Sequence, residues 1–247
     1  LPQFKTILIT GASGGIGASL ARALAAPGVT ILLWGRNAAR LGETAAACEA
    51  LGALCRITAF DIRDAGAQIA HLEQAGDIDL AIFNAGLGGM PDTALAEAPL
   101  DALATAEVNF VAPVVGANAV ARAMATRGQG RIVLVSSIAE SFPLPQAPTY
   151  SATKAGLAMF AEALSIRMAK QGVGVTLVSP GFIDTPMSRR VPPPKPFLMG
   201  ADDAARIIVR GIMAGKRRIV VPWQFAVIRA ITNLLPRWLM RAILARA

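Results

Sequence analysis

The sequence predicts a doubly wound α/β fold, a seven-stranded parallel sheet in the order 3-2-1-4-5-6-7 with helices on both faces. Three observations carry this. Short runs rich in Ile, Val and Leu alternate with alanine-rich stretches of helical length, the βαβ rhythm of a parallel sheet buried on both faces. The first run passes directly into a glycine-rich turn, Thr10-Gly11-Ala12-Ser13-Gly14-Gly15-Ile16-Gly17, and then into a helical stretch. The residues able to do chemistry fall at the carboxyl ends of the runs, where right-handed crossovers place the crevice of such a sheet.

The expected strands are Lys5 to Thr10, Val29 to Trp34, Leu54 to Phe60, Leu80 to Asn84, Arg131 to Ser136, Val173 to Ser179 and Arg218 to Val221. Each is short, apolar and bounded by a turn or a helical stretch. Pro186 to Gly200, with Pro192-Pro193-Pro194-Lys195-Pro196, is expected to be an extended, irregular loop acting as a lid. Trp223 to Arg246 reads as two apolar, arginine-bearing helices broken at Pro236. The chain therefore divides into one α/β domain over 1–222, including a loop at 182–200, and a helical extension over 223–247.

A chain of 247 residues is ample for one such domain. Mean hydropathy is high at +0.50, yet no uninterrupted apolar run approaches the roughly 20 residues that span a bilayer, so no membrane span is expected. No signal peptide is expected before the first strand. Cys48 and Cys55 lack the spacing of a metal or redox motif, so they read as reduced, buried cysteines of a reducing, cytoplasmic compartment. With His71 the sole histidine, a zinc site or histidine triad is not expected, and no metal is assigned. The net charge of +8 is unevenly placed. Residues 1–184 hold 12 Lys and Arg against 14 Asp and Glu, whereas residues 185–247 hold 12 against only Asp202 and Asp203. Basic residues interleaved with aliphatic ones describe a surface or appendage rather than a nucleic-acid site.

The glycine turn suits a dinucleotide diphosphate. Gly11, Gly15 and Gly17 allow a tight turn, close backbone approach and close helix packing, and the helix amino end faces the anion. The end of the second strand, Trp34-Gly35-Arg36-Asn37, lacks the carboxylate that would bind a ribose 2′-hydroxyl and offers a guanidinium for a 2′-phosphate, which favours NADP(H) over NAD(H). Arg36 otherwise simply begins the next helix. Tyr150 is the only tyrosine; Lys154 lies four residues later, and Ser137 thirteen residues earlier. A phenol with a pKa of about 10 becomes a usable acid or base when a neighbouring ammonium favours phenolate. Lys154, on the same helix face, supplies that charge. Ser137 can donate to an oxygen on which negative charge grows. Taken singly, Ser137 could bond backbone, Lys154 could be solvated, and Asn109 could be a locally satisfied helix residue.

In this order and spacing the motifs resemble those of the short-chain dehydrogenase/reductase family, over roughly residues 5–221. The likeness rests on TGASGGIG at 10–17, Asp61-Ile62, Asn84-Ala85-Gly86, Asn109, Ser137, Tyr150-Ser151-Ala152-Thr153-Lys154 and Pro180-Gly181-Phe182-Ile183-Asp184-Thr185. It implies a Rossmann-fold oxidoreductase with Ser137, Tyr150, Lys154 and Asn109 as catalytic residues. The cofactor would be held by Gly11, Ser13, Gly14, Gly15, Ile16, Gly17, Arg36, Asp61, Ile62, Asn84, Ala85, Gly86, Tyr150, Lys154, Pro180, Gly181, Ile183 and Thr185. It further implies that Asp61 caps the adenine, Ile183 and Thr185 touch the carboxamide, Lys154 grips the ribose, and Asn109 holds a relay water. A homodimer or homotetramer through helices near Asp101 to Arg127 and Ser151 to Lys170 is also implied.

Glu140 stands where relatives often carry a small residue; the expectation is that it faces water at the mouth. The loop with Phe182, Met187, Phe197, Leu198 and Met199 among Arg189, Arg190 and Lys195 points to a lipophilic carbonyl or alcohol, or to structural packing. In the extension, Arg229, Arg237, Arg241 and Arg246 interrupt Phe225, Ile228, Ile231, Leu234, Leu235, Trp238, Leu239 and Ile243, a mixture suited to a membrane surface or to protein packing. The expected function is NADP(H)-dependent interconversion of a carbonyl and a secondary alcohol. The alternative is a catalytically idle dinucleotide sensor.

Overall fold

The computed structural model describes residues 4–88 and 97–232. Strands β1 (Thr6–Thr10), β2 (Thr30–Gly35), β3 (Leu54–Ala59), β4 (Leu80–Phe83), β5 (Gly130–Val135), β6 (Val173–Pro180) and, later in the chain, β9 (Arg218–Val221) form a parallel seven-stranded sheet in the order β3-β2-β1-β4-β5-β6-β9. This is the expected topology. The seventh sheet strand is β9 in chain order because two short strands, β7 (Ile183–Asp184) and β8 (Met199–Gly200), pair with each other ahead of it.

Side-chain alternation feeds two cores. Ile7, Ile9, Ile31 and Leu33 point to the face covered by α1 (Gly15–Leu24), α2 (Ala38–Glu49) and α8 (Ala201–Met213). Leu8, Leu32 and Trp34 point to the opposite face, covered by α3 (Ala65–Gln74), α5 (Ala112–Arg127) and α6 (Pro148–Met168). Both faces of the central strands are thus apolar, which is why those strands read as continuous hydrophobic runs, whereas the edge strand β3 is largely exposed.

Helix starts follow local chemistry. The Asn37 side chain caps α2 by accepting from the Arg40 N–H at 3.0 Å, and Asp64 caps α3 by accepting from Ala67 at 2.9 Å. Pro148 occupies the first turn of α6, where its missing N–H costs nothing. A helix α4 (Pro99–Ala106) runs through a π-helical turn, Glu107–Val111, into α5. The continuous stretch Pro99–Arg127 is long and apolar enough for a membrane span by length and composition. Its Ala117, Val120, Ala121 and Met124 are instead part of the core under the sheet.

The segment expected to be wholly irregular, Pro186 to Gly200, is partly ordered. Thr185 caps a one-turn helix, α7 (Pro186–Arg189), and Met199–Gly200 returns to pair with Ile183–Asp184. Proline-rich composition hid this, because the returning strand is only two residues long. Helix α9 (Gln224–Thr232) is the described part of the extension; Pro236, Arg237, Arg241, Arg246 and the apolar residues from Leu234 to Ile243 lie outside the described residues.

Candidate active site

At the carboxyl ends of β1, β2, β4, β5 and β6 lies a cavity of about 1120 Å³. Of the residues expected to be catalytic or to bind the cofactor, all but Gly17 and Asn109 line it. Those two stand directly behind its wall.

The glycine turn forms the cofactor-facing end. Gly11 adopts φ +68°, and a Cβ there would meet the Ala85 Cα at 2.8 Å; a Cβ at Gly17 would meet the Gly11 carbonyl at 2.2 Å. Only glycine lets these backbones approach so closely. Asn84 ties the turn to β4 by donating to the Thr10 carbonyl at 3.1 Å, while the Thr10 hydroxyl accepts from the N–H groups of Asn84 and Ala85, each at 3.0 Å. Arg36 and Arg40 both line the rim beside the turn. Arg40 was missed in the sequence; its place one helical turn after Arg36 was the available signal. The Asp61 carboxylate, expected to meet an adenine, is gripped by Arg63 Nε at 3.1 Å and Nη2 at 2.6 Å, which holds its pKa down at about 2.

Ser137, Tyr150 and Lys154 come together at the middle of the cavity. The Ser137 oxygen accepts from the Ala139 N–H at 3.2 Å, opening the short helix Ile138–Glu140, and the hydroxyl is close enough to the Tyr150 phenol to favour the phenolate. The Lys154 ammonium lies 5.7 Å from the Tyr150 ring centroid and donates to the Val135 carbonyl at 3.1 Å. Ser136 fixes the same helix to β5 by donating to the Lys154 carbonyl at 3.0 Å. Burial draws the Lys154 pKa from 10.5 down to about 8, with the Glu140 charge opposing the fall. Burial likewise pushes the Tyr150 phenol up, with Ser137 opposing the rise. The sequence leads to the expectation that the ammonium holds the phenol low; in the protein alone, burial rather than Lys154 sets the direction of the shift.

Asn109 is fully buried in the π-helical turn. Its amide accepts from the Leu87 N–H at 2.7 Å and donates to the Leu87 carbonyl at 2.9 Å, so it is satisfied by a distant loop rather than within its own helix. A Cβ at Gly86 would sit 3.3 Å from the Asn109 Oδ1, so a larger residue there would crowd the Asn109 amide.

Two acidic residues stand differently from expectation or were overlooked. Glu97 accepts from the Thr149 N–H at 3.1 Å and from its hydroxyl, completing the amino end of the helix that carries Tyr150. Glu140, expected to face water, is a correction: its side chain is 3% exposed, forms an ion pair with Arg218, and accepts from Ser179 at 3.0 Å. The cations that draw it inward lie on β9 and α9, far away in the sequence.

A doubly wound sheet with a glycine turn after its first strand, and a hydroxyl, phenol and ammonium clustered in its crevice, is the arrangement of a dinucleotide-dependent oxidoreductase. Residues 5–195 match the short chain dehydrogenase family. An uncharacterized oxidoreductase of Myxococcus xanthus is 33% identical over 99% of this chain and 98% of its own length. Among solved structures, a short chain dehydrogenase of Burkholderia cenocepacia in complex with NADP superposes with a TM-score of 0.83 at 29% identity, covering 97% of each chain. A short-chain dehydrogenase of Sphingobium yanoikuyae in complex with NADPH gives 0.83 at 24% identity over 94% of this chain and 97% of that one, a likeness of fold. The chain belongs to the short-chain dehydrogenase/reductase family, and it is an NAD(P)-dependent oxidoreductase of Rossmann fold.

Proposed function

We propose that this protein uses NADPH to reduce the carbonyl of a lipophilic compound to a secondary alcohol, reversibly. The observation that carries the reading is a single cavity with a glycine turn and two guanidinium groups at one end, Ser137, Tyr150 and Lys154 in the middle, and apolar walls at the other. Those walls include Phe142, Leu144, Phe182, Met187 and Val191. The NADP carried by the Burkholderia structure supports the choice of cofactor.

The residues fit a dinucleotide. No atom lies within 4 Å of a Cβ position at Gly14, so the amino end of α1 is open to a diphosphate. Ser13, Gly14, Gly15 and Ile16 would hold that group; Arg36 and Arg40 would pair with the 2′-phosphate; Ile62, Ala85, Gly86, Pro180, Gly181, Ile183 and Thr185 would line the path of the rest. When bound, the reduced nicotinamide supplies the hydride. Tyr150, kept as a neutral phenol by burial, is ready to give its proton to the carbonyl oxygen. Ser137 donates a hydrogen bond to the same oxygen as charge grows there. Lys154 stabilises the phenolate left behind, its ammonium held by the Val135 carbonyl. NADPH consumption over carbonyl compounds from small and polar to long-chain, with NADH in parallel, tests the reading. Turnover at the lipophilic end with NADPH supports it; tighter NADH than NADPH binding overturns the cofactor assignment.

A membrane-facing role has its own observation. On α9 and the residue before it, Trp223, Val227 and Ile231 recur four apart and are 69%, 49% and 55% exposed, while Phe225 packs inward against Phe182 and Phe197 at the substrate end. With the basic charge of residues 185–247, this face suits peripheral contact with an anionic membrane beside the cavity. Sedimentation with anionic vesicles at low salt, lost when the three residues become Ser, supports it; no sedimentation overturns it. The exposed Leu100, Leu103, Met159 and Ile166 of α4 and α6 suit a homodimer or homotetramer. Both cysteines are free thiols; Cys48 is buried as expected, whereas Cys55 is only half-buried.

A further inference from the structure

We propose that Glu140 is a positioning residue for the reaction, a buried carboxylate that clamps the turn carrying Ser137 to β6, β9 and α9; this rests on the reading of Ser137, Tyr150 and Lys154 above. Three elements converge on one side chain. Arg218 of β9 forms an ion pair with its Oε1, Ser179 of β6 donates to the same oxygen at 3.0 Å, and Arg229 of α9 lies 3.9 Å from it. Arg229 also donates to the neighbouring Ser141 hydroxyl at 3.1 Å, so α9 holds the turn at two points.

The clamp reaches the reacting group through one covalent turn. The Glu140 N–H donates to the Ser137 carbonyl at 3.0 Å, and the Ser137 oxygen accepts from Ala139 within the same turn. A displacement at Glu140 therefore moves Ser137 directly. A carboxylate taken out of water is costly unless its partners are well placed, so a small residue would serve a merely structural turn more cheaply. The second oxygen, Oε2, is buried with no hydrogen-bond partner among the described residues. The carboxylate charge acts on Arg218 and Arg229 on one side, and on the Lys154 ammonium of α6, whose protonated form it favours, on the other.

The test compares the parent with Glu140→Gln and Arg218→Gln. We expect both variants to bind NADPH within about twofold of the parent and to lose about 10- to 100-fold in kcat, the scale of a small misplacement at the reacting centre. The double variant should be no worse than the poorer single one, because the two act through one contact. In Glu140→Gln the alkaline limb of the kcat profile should move to lower pH, since Lys154 loses a charge that favours its protonated form; a packing role alone would leave that limb in place. Amide exchange at 137–141 should rise in both variants, a readout that needs no turnover and separates failure of the clamp from failure of the functional reading. Folded variants with parental kcat, or parental exchange at 137–141, overturn the proposal. If Glu140→Gln does not fold, Arg218→Gln decides by the same exchange and kcat readouts.

Discussion

Lys154 gives the most quantitative handle on the account. Its side chain lines the cavity but is almost wholly buried, and its pKa falls from 10.5 to about 8, mainly through desolvation. The folded chain therefore releases this proton at lower pH than the unfolded chain. Between about pH 8 and 10.5 the unfolded state binds more protons, so stability rises with pH across that window; below it both states are protonated and the full cost is present. The gap corresponds to about 3 kcal/mol. Lys154→Met removes the charge while retaining a long apolar stem. The expected result in urea unfolding of the cofactor-free protein is a variant about 3 kcal/mol more stable than the parent at pH 7, with an advantage that shrinks as pH rises beyond 8. Turnover should be lost in the same variant, a trade of stability for function. A variant no more stable than the parent at pH 7, or an advantage independent of pH, would refute the reasoning.

Further perturbations test other parts of the site. Gly17→Ala places a Cβ 2.2 Å from the Gly11 carbonyl and 2.6 Å from the Asn84 Nδ2, so the turn must open; NADPH should cease to raise the melting temperature, as read by thermal shift. Glu97→Ala strips two acceptor contacts from the first turn of α6 and should cost about 1 kcal/mol in urea unfolding, as loss of a helix cap does. Arg36→Ala should weaken NADPH by about 10- to 100-fold, the value of a charged hydrogen bond, and leave NADH within about twofold by fluorescence titration.

Much of this was legible in the sequence because the evidence is local. The apolar runs of β1, β2, β5 and β6 are buried on both faces, so their composition alone marks them. Gly11 and Gly17 are tied to a close approach within one turn, and Tyr150 and Lys154 share a helix face. What the sequence hid depends on distant partners. Glu140 lies 78 positions from Arg218, its ion-pair partner, so nothing nearby marked it as buried. Glu97 lies 52 positions from the helix it caps. Asn109 looks like an ordinary helix residue until the π-helical turn directs its amide to Leu87. The two-residue pairing of β7 with β8 is too short to leave a period in a proline-rich segment.

The central claim is that Tyr150 delivers the proton to a carbonyl reduced with NADPH. Its most direct test is single-turnover oxidation of bound NADPH by a lipophilic ketone in the parent and in Tyr150→Phe, with NADPH affinity measured alongside. The account predicts affinity within about twofold and a rate lower by about 100-fold or more, the contribution of a positioned acid. A Phe variant that oxidises NADPH at the parental rate would contradict it.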